Sequence, residues 1–133
     1  MKRTFWFIYL ALVLATPAIA LPTEAEVESV TVEIRSRIFI PQHVHLHHDR
    51  KTVLRFRSHD TELHTVVAKE LFLSADLNVG GNGAPEFGPN GLKRVIIPAE
   101  GLIEFQFTPA HTGTFSYLCD MPGHNMQAVI VVE

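Results

Sequence analysis

Cysteine is almost absent from this chain of 133 residues, which contains only Cys119. A single cysteine excludes an intrachain disulfide framework, a four-cysteine zinc site and an iron–sulfur cluster held by several cysteines. In an oxidising compartment, a thiol without a partner has to be buried, bonded to another chain or bound to a ligand.

The chain also lacks an excess of basic residues. It has 11 Lys and Arg against 14 Asp and Glu, for a formal net charge of −3, which argues against a nucleic-acid binder. The length suits one ordinary domain and is too short for a multidomain oxidase. A hydrophobic fraction of 47% excludes a disordered chain, and eight histidines are many for this size.

No apolar run is long enough to span a membrane. Lys2 and Arg3 precede an apolar segment of about ten residues, whereas a span needs about 20. The segment ends at a small-x-small site, so we predict a signal peptide over residues 1–20, cleaved after Ala20. Cleavage removes two of the 11 basic residues, and nine then face 14 acidic ones, a net charge of −5. The mature protein is expected to be periplasmic or secreted and not membrane-spanning, with a flexible lead-in over residues 21–29.

Apolar and polar residues alternate in several short segments, and this period of two predicts strands with one buried face. The apolar members of these segments include Val30, Val32, Ile34, Val44, Leu46, Leu54, Phe56, Ile103, Phe105 and Phe107. Turn residues separate the segments, so residues 30–133 are predicted to form an all-β sandwich. Residues 68–77 are expected to form a helical turn or two, and residues 78–91, which are rich in glycine, a long surface loop.

Soft metal ligands are concentrated near the C-terminus. Cys119, His124 and Met126 fall within eight residues, and His64 precedes an apolar run upstream. A thiolate, two imidazoles and a thioether are the ligand set of a mononuclear copper electron-transfer site. A nucleophilic cysteine paired with a histidine is the alternative, but a small all-β chain offers little sign of a substrate cleft.

Four segments together resemble the cupredoxin family, the small blue copper proteins that include azurin and plastocyanin. These segments are residues 39–46, 60–67, 108–115 and 119–124, the last of which contains Pro-Gly-His. The resemblance implies a Greek-key β-sandwich that holds one copper ion per chain. It implies His64, Cys119 and His124 as the strong ligands and Met126 as the axial ligand.

The chain departs from the family pattern at two positions. Only Asn125 separates His124 from Met126, so Met121, Glu62 or a backbone carbonyl near Leu63 remain alternatives for the axial position. Thr65 replaces the asparagine that commonly follows the first histidine. Its hydroxyl and backbone N–H are predicted to tie the two ligand segments together.

Three further histidines, His43, His45 and His47, share one face of a predicted strand. This face is either solvated or an accessory metal site for Cu(II), Zn or Ni.

The resemblance implies an electron carrier rather than an enzyme. The expected protein is a monomer that exchanges electrons with a transient redox partner through the exposed edge of His124. Met121, Pro122, Leu63 and Met126 are expected to form an apolar rim around that edge. The alternative hypothesis is a copper chaperone, buffer or resistance protein on the same fold, which delivers its metal to an acceptor.

Overall fold

A computed structural model describes residues 15–133 of the chain. In this part the chain forms strands and turns and no helix, as the all-β prediction requires. The strands in chain order are β1 (Glu28–Arg35), β2 (Ile38–Ile40), β3 (His43–Leu46), β4 (Thr52–Ser58), β5 (His64–Val66), β6 (Asn78–Gly81), β7 (Ala84–Gly88), β8 (Gly91–Ile97), β9 (Leu102–Phe107), β10 (Gly113–Cys119) and β11 (Met126–Val132).

The structure describes only the last six residues of the predicted signal peptide, residues 15–20. Residues 1–14 lie outside the described residues. Residues 15–27 are exposed and form no strand, so β1 begins two residues before the predicted domain boundary at residue 30. Across residues 15–133, the structure contains no helix with the length and hydropathy needed to cross a membrane.

The first sheet has the strand order β2-β1-β4-β9-β6. β1 runs parallel to β4, and β4 runs antiparallel to β9. Alternate side chains of these strands point into the core, as the period of two predicts. The buried apolar side chains of this sheet include Val32, Ile34, Leu54, Phe56, Ile103 and Phe105. Burying a side chain of this size contributes about 1.5–3 kcal/mol to folding.

The opposite face is formed by two three-stranded sheets, β10-β11-β3 and β5-β8-β7. An isolated antiparallel bridge between Val67 and Leu118 joins them. Both backbone hydrogen bonds of this bridge are present, at 2.9 and 3.2 Å. The bridge places the start of β5 beside the end of β10, so His64 and Cys119 become neighbours although 55 residues separate them in sequence.

Aromatic packing fixes β10 against the first sheet. The ring of Tyr117 lies 4.8 Å from that of Phe39 and 5.4 Å from that of Phe56, measured between centroids. Such aromatic pairs contribute about 0.5–1.5 kcal/mol beyond their burial. Cys119 follows Tyr117 by two residues on the same strand, so its sulfur also points inward.

The segment between β5 and β8 differs from the prediction. Residues 69–74 form turns and not a helix, and residues 78–91 contain β6 and β7 rather than one long loop. Both strands lie at sheet edges, where glycine and proline are tolerated and apolar alternation is not required. Gly81 has φ +93°, and a Cβ there would lie 2.1 Å from the carbonyl oxygen of Leu102, so only glycine fits against β9.

Candidate metal centre

The structure brings His64, Cys119 and His124 together. The Cys119 sulfur lies 4.0 Å from Nδ1 of His64 and 3.6 Å from Nδ1 of His124. All three donor atoms lie within 4.8 Å of one another. The site is enclosed, because His64 is fully buried, Cys119 is 4% exposed and the His124 side chain is 7% exposed.

Each of the three residues is held by a different part of the fold. His64 begins β5, Cys119 ends β10, and His124 lies in the ligand loop, residues 120–125, that connects β10 to β11. The backbone N–H of His124 donates to the carbonyl of Met121 at 3.0 Å, which closes a tight turn. Gly123 adopts φ +80° in this turn, a conformation that favours glycine.

The spacing of the donor atoms fits a single metal ion. Typical bond lengths are about 2.3 Å from a metal to a thiolate and about 2.0 Å to an imidazole nitrogen, so a trigonal ion would separate sulfur from nitrogen by about 3.7 Å. The observed distances of 4.0 and 3.6 Å lie on either side of this value. A thiolate with two imidazoles suits a soft or borderline transition metal, and copper is among these.

Thr65 ties the two ligand segments together, as the sequence predicts. Its backbone N–H donates to the Cys119 sulfur at 3.3 Å. Its hydroxyl donates to Asp120 Oδ1 at 2.7 Å and accepts the Asp120 backbone N–H at 2.9 Å. This N–H holds the sulfur in place, and a cysteine binds metal through its thiolate.

Asp120 is also held from the other side by Arg94 of β8. One guanidinium nitrogen of Arg94 lies 3.1 Å from both carboxylate oxygens of Asp120, and another donates to Glu86 of β7 at 2.8 Å. Burial acts to raise the pKa of Asp120, but hydrogen bonds from Thr65 and Arg94 outweigh it and hold this pKa below its usual value. The sheet β5-β8-β7 is therefore anchored to the residue that follows Cys119.

Carboxylates contact the outer nitrogens of both histidines. Asp60 Oδ2 lies 2.9 Å from Nε2 of His64, and Glu62 Oε2 lies 3.6 Å from Nε2 of His124. Arg37 holds Glu62 through two hydrogen bonds of 2.5 and 2.7 Å, and this guanidinium lowers the pKa of Glu62. Burial acts to raise the pKa of Asp60, but hydrogen bonds from the backbone of Arg37 and Ser36 lower it further than burial raises it.

These outer contacts were not predicted from the sequence. The residues concerned are Asp60, Arg37, Asp120 and Arg94. The sequence contains a signal for two of them, because each is an acidic residue close to a candidate ligand. Asp60 lies four residues before His64, and Asp120 directly follows Cys119.

The axial candidates differ in their surroundings. Met126 is 2% exposed and pairs with Cys119 across β10 and β11, whereas Met121 is half-buried at the edge of the core. Leu63 is 47% exposed. The carboxylate of Glu62 faces the outer nitrogen of His124 and accepts a hydrogen bond from Arg37. The axial role of Met126 remains a prediction.

The prediction of an apolar rim around His124 is wrong for one residue, Met126. Leu63 and Pro122 are exposed and Met121 is half-buried, but Met126 lies in the core and takes no part in the surface. The His124 ring is also more covered than expected, because Glu62 lies over its outer nitrogen.

The other histidines lie apart from this centre. His43 and His45 are exposed on β3, and Nδ1 of His47 lies 2.7 Å from Glu28. Within residues 15–133, the groups of three donor residues close enough to share a metal are His64, Cys119 and His124, and Asp60, Glu62 and His64. His43, His45 and His47 form no such group in this part of the chain.

Comparison with known proteins agrees with the fold. The sequence matches the family model of the cupredoxin-like domain over residues 4–132. The chain belongs to the cupredoxin family. No curated protein sequence shows significant similarity to this cupredoxin.

Solved structures of blue copper proteins share its fold. One is auracyanin A, a blue copper protein from the green thermophilic photosynthetic bacterium Chloroflexus aurantiacus, with a TM-score of 0.59 and 16% identity over 81% of this chain and 100% of that one. A Cu(I) form of an amicyanin variant has a TM-score of 0.51 and 17% identity, over 79% of this chain and 82% of that one. An oxidised amicyanin variant has a TM-score of 0.52 and 14% identity, over 78% and 81%. At these identities the likeness concerns the fold.

Proposed function

We propose that this cupredoxin is an exported mononuclear copper protein that carries single electrons. The observation that carries the proposal is that the Cys119 sulfur lies within 4.0 Å of Nδ1 of both His64 and His124 in an enclosed site. Copper bound there would supply a one-electron couple between Cu(II) and Cu(I). A thiolate and two imidazoles serve both oxidation states, which is the requirement for a carrier.

The surrounding residues support electron transfer by keeping the ligands in place. Thr65 fixes the sulfur through its backbone N–H and fixes the ligand loop through its hydroxyl. Asp60 holds the outer nitrogen of the buried His64. Ligands that are fixed before an electron arrives need little rearrangement when it does, so the barrier to transfer stays low.

We propose Met126 as the axial ligand. It is buried at the start of β11 directly opposite Cys119, which supports this assignment over the half-buried Met121. A long, weak thioether bond in this position suits copper in both oxidation states.

The surface next to His124 is the proposed site of electron exchange. Leu63 and Pro122 are exposed there, beside the ion pair of Arg37 and Glu62. A small surface of this kind fits a transient contact between a monomer and its redox partner. A mature net charge of −5 favours a basic partner through electrostatic steering.

The proposed location is the periplasm or the extracellular space. The basic residues Lys2 and Arg3, the short apolar segment and the cleavage site after Ala20 support export. Cleavage would leave the exposed lead-in, residues 21–27, ahead of β1.

Copper stoichiometry and voltammetry of the purified protein test the carrier role. We expect one copper per chain and a reversible one-electron couple. Cys119→Ser, His64→Gln and His124→Gln should each abolish the couple. His111→Gln, which removes an exposed histidine outside the site, should leave it unchanged. A protein that retains no copper, or binds it without a reversible couple, contradicts the proposal.

A copper chaperone or buffer is the second candidate. It is suggested by His43 and His45, which lie exposed on one strand, where Nδ1 of His45 is 3.8 Å from Glu133. A chaperone that uses these residues should bind more than one copper and release it to an acceptor. Replacing His43, His45 and His47 together with glutamine should then lower the stoichiometry; an unchanged stoichiometry rejects the accessory site.

A further inference from the structure

Asp60 lies directly behind a residue of the metal centre. Its Oδ2 is 2.9 Å from Nε2 of His64, whose side chain is completely buried. The opposite ring nitrogen, Nδ1, faces the Cys119 sulfur at 4.0 Å. The imidazole thus lies between the Asp60 carboxylate on its outer side and the Cys119 sulfur on its inner side.

This arrangement determines where the His64 proton resides. An ionised carboxylate only accepts hydrogen bonds, so Nε2 must carry the hydrogen that it donates to Asp60. In the neutral imidazole this leaves no hydrogen on Nδ1, which presents its lone pair to the centre. A histidine that donates to a carboxylate is also a stronger electron donor to its metal than one that donates to a neutral group.

Asp60 is itself fixed by the turn between β1 and β2. Ser36 and Arg37 form this two-residue turn, with φ values of 50° and 60°. Their backbone N–H groups donate to Oδ1 and Oδ2 of Asp60 at 2.7 and 3.0 Å. Non-glycine residues adopt this left-handed conformation only at an energetic cost, and here it directs two N–H groups at one carboxylate.

We propose that Asp60 is a positioning residue, which keeps His64 in the tautomer that ligates through Nδ1 and shifts the copper equilibrium toward Cu(II). The proposal deepens the proposed function and rests on it. A stronger imidazole donor stabilises the more highly charged Cu(II) more than Cu(I). The carboxylate therefore lowers the reduction potential relative to a neutral side chain in the same place.

Glu62 provides a matched comparison within the same segment. It carries the same charge as Asp60 and contacts the other ligand, but its oxygen is 3.6 Å from Nε2 of His124, too far for a hydrogen bond. Arg37 also neutralises it through two hydrogen bonds. Loss of the Glu62 charge should therefore affect the centre less than loss of the Asp60 charge.

Voltammetry of copper-loaded variants tests the proposal. Asp60→Asn should shift the ratio of Cu(II) to Cu(I) affinity about tenfold toward Cu(I), which raises the potential by about 59 mV for a one-electron couple. Glu62→Gln should raise it by less than half as much, and Asp60→Glu should bring it back toward the wild-type value. An unchanged potential in Asp60→Asn, or equal shifts in Asp60→Asn and Glu62→Gln, overturns the proposal.

A second measurement needs no copper. Nitrogen NMR of the metal-free wild-type protein, recorded with the His64 ring neutral, should show its hydrogen on Nε2 and none on Nδ1; the opposite tautomer overturns the positioning role. The NMR measurement tests the positioning of His64 separately from copper binding. If the wild-type protein binds no copper, the proposed function fails, while NMR of the wild type and of Asp60→Asn still decides whether Asp60 sets the tautomer of His64.

Discussion

The backbone N–H of Thr65 lies 3.3 Å from the sulfur of Cys119, and the hydroxyl of the same threonine makes two hydrogen bonds to Asp120. One fully buried residue on β5 therefore holds both the sulfur and the first residue of the ligand loop. This contact joins segments that are 54 residues apart in sequence. It links the two segments of the candidate centre through contacts between protein groups.

Thr65→Val should destabilise the metal-free protein. The substitution keeps the size of the side chain and the backbone N–H, but it leaves the N–H and carboxylate of Asp120 without their hydroxyl partner. Loss of such a partner costs about 1–3 kcal/mol. Urea unfolding measures the change. Thr114→Val, on the exposed side of β10, is the control and should stay within about 0.5 kcal/mol of wild type; equal midpoints for the two variants contradict the account.

Gly81→Ala should destabilise the protein, because β6 packs its backbone against β9 at this point. The new Cβ would lie 2.1 Å from the carbonyl oxygen of Leu102, in a backbone conformation with φ +93°. The conformation alone costs about 1–2 kcal/mol, and the clash adds to it.

Gly80→Ala is the matched control, because a Cβ at Gly80 meets nothing within 4 Å. Thermal unfolding of the two variants should separate them clearly. If Gly81→Ala is as stable as Gly80→Ala, residues 78–81 are not the edge strand described above.

Tyr117→Phe should leave stability unchanged at neutral pH or raise it by about 1 kcal/mol. The Tyr117 hydroxyl is buried and has no hydrogen-bond partner among the described residues, so its removal relieves an unsatisfied polar group. Ser116→Ala, at the exposed neighbouring position on β10, controls for a general effect of the strand. A loss of more than about 1 kcal/mol in Tyr117→Phe would show that the hydroxyl has a partner.

The same variant tests how the stability of the protein depends on pH. Burial raises the pKa of Tyr117 above its ordinary value of about 10. The unfolded chain therefore loses the proton before the folded protein does, and wild-type stability should fall as the pH rises above about 10. Tyr117→Phe removes this contribution, so its stability should fall less steeply over that range. Urea midpoints measured from pH 8 to pH 11 check the difference; parallel slopes contradict the burial of the hydroxyl.

The strands of the core could be predicted from the sequence because each has one buried face. Val32 and Ile34 alternate with polar residues, and so do Leu54 and Phe56. β6 and β7 escaped prediction because they are edge strands rich in glycine and proline, with few buried side chains to mark a period. Their pairing comes from the backbones of β9 and β8, which no local pattern encodes.

That His64, Cys119 and His124 lie close together could be predicted, because their chemistry is specific and two of them lie five residues apart. Their outer partners could not. Asp60 reaches the β1–β2 turn across 23 residues, and Arg94 reaches Asp120 across 26, so these contacts exist only after the sheets have assembled. Acidic and basic residues are common on any surface, and only the fold shows that Asp60 lies against His64 and that Arg94 lies against the residue after Cys119.

The optical spectrum of the copper-loaded protein tests the central claim most directly. Copper bound to Cys119, His64 and His124 should give an intense thiolate-to-copper absorption in the visible range. Cys119→Ser should remove this absorption, and His111→Gln should preserve it. A wild-type protein that stays colourless with copper, or a Cys119→Ser variant that keeps the band, would contradict the assignment of this centre.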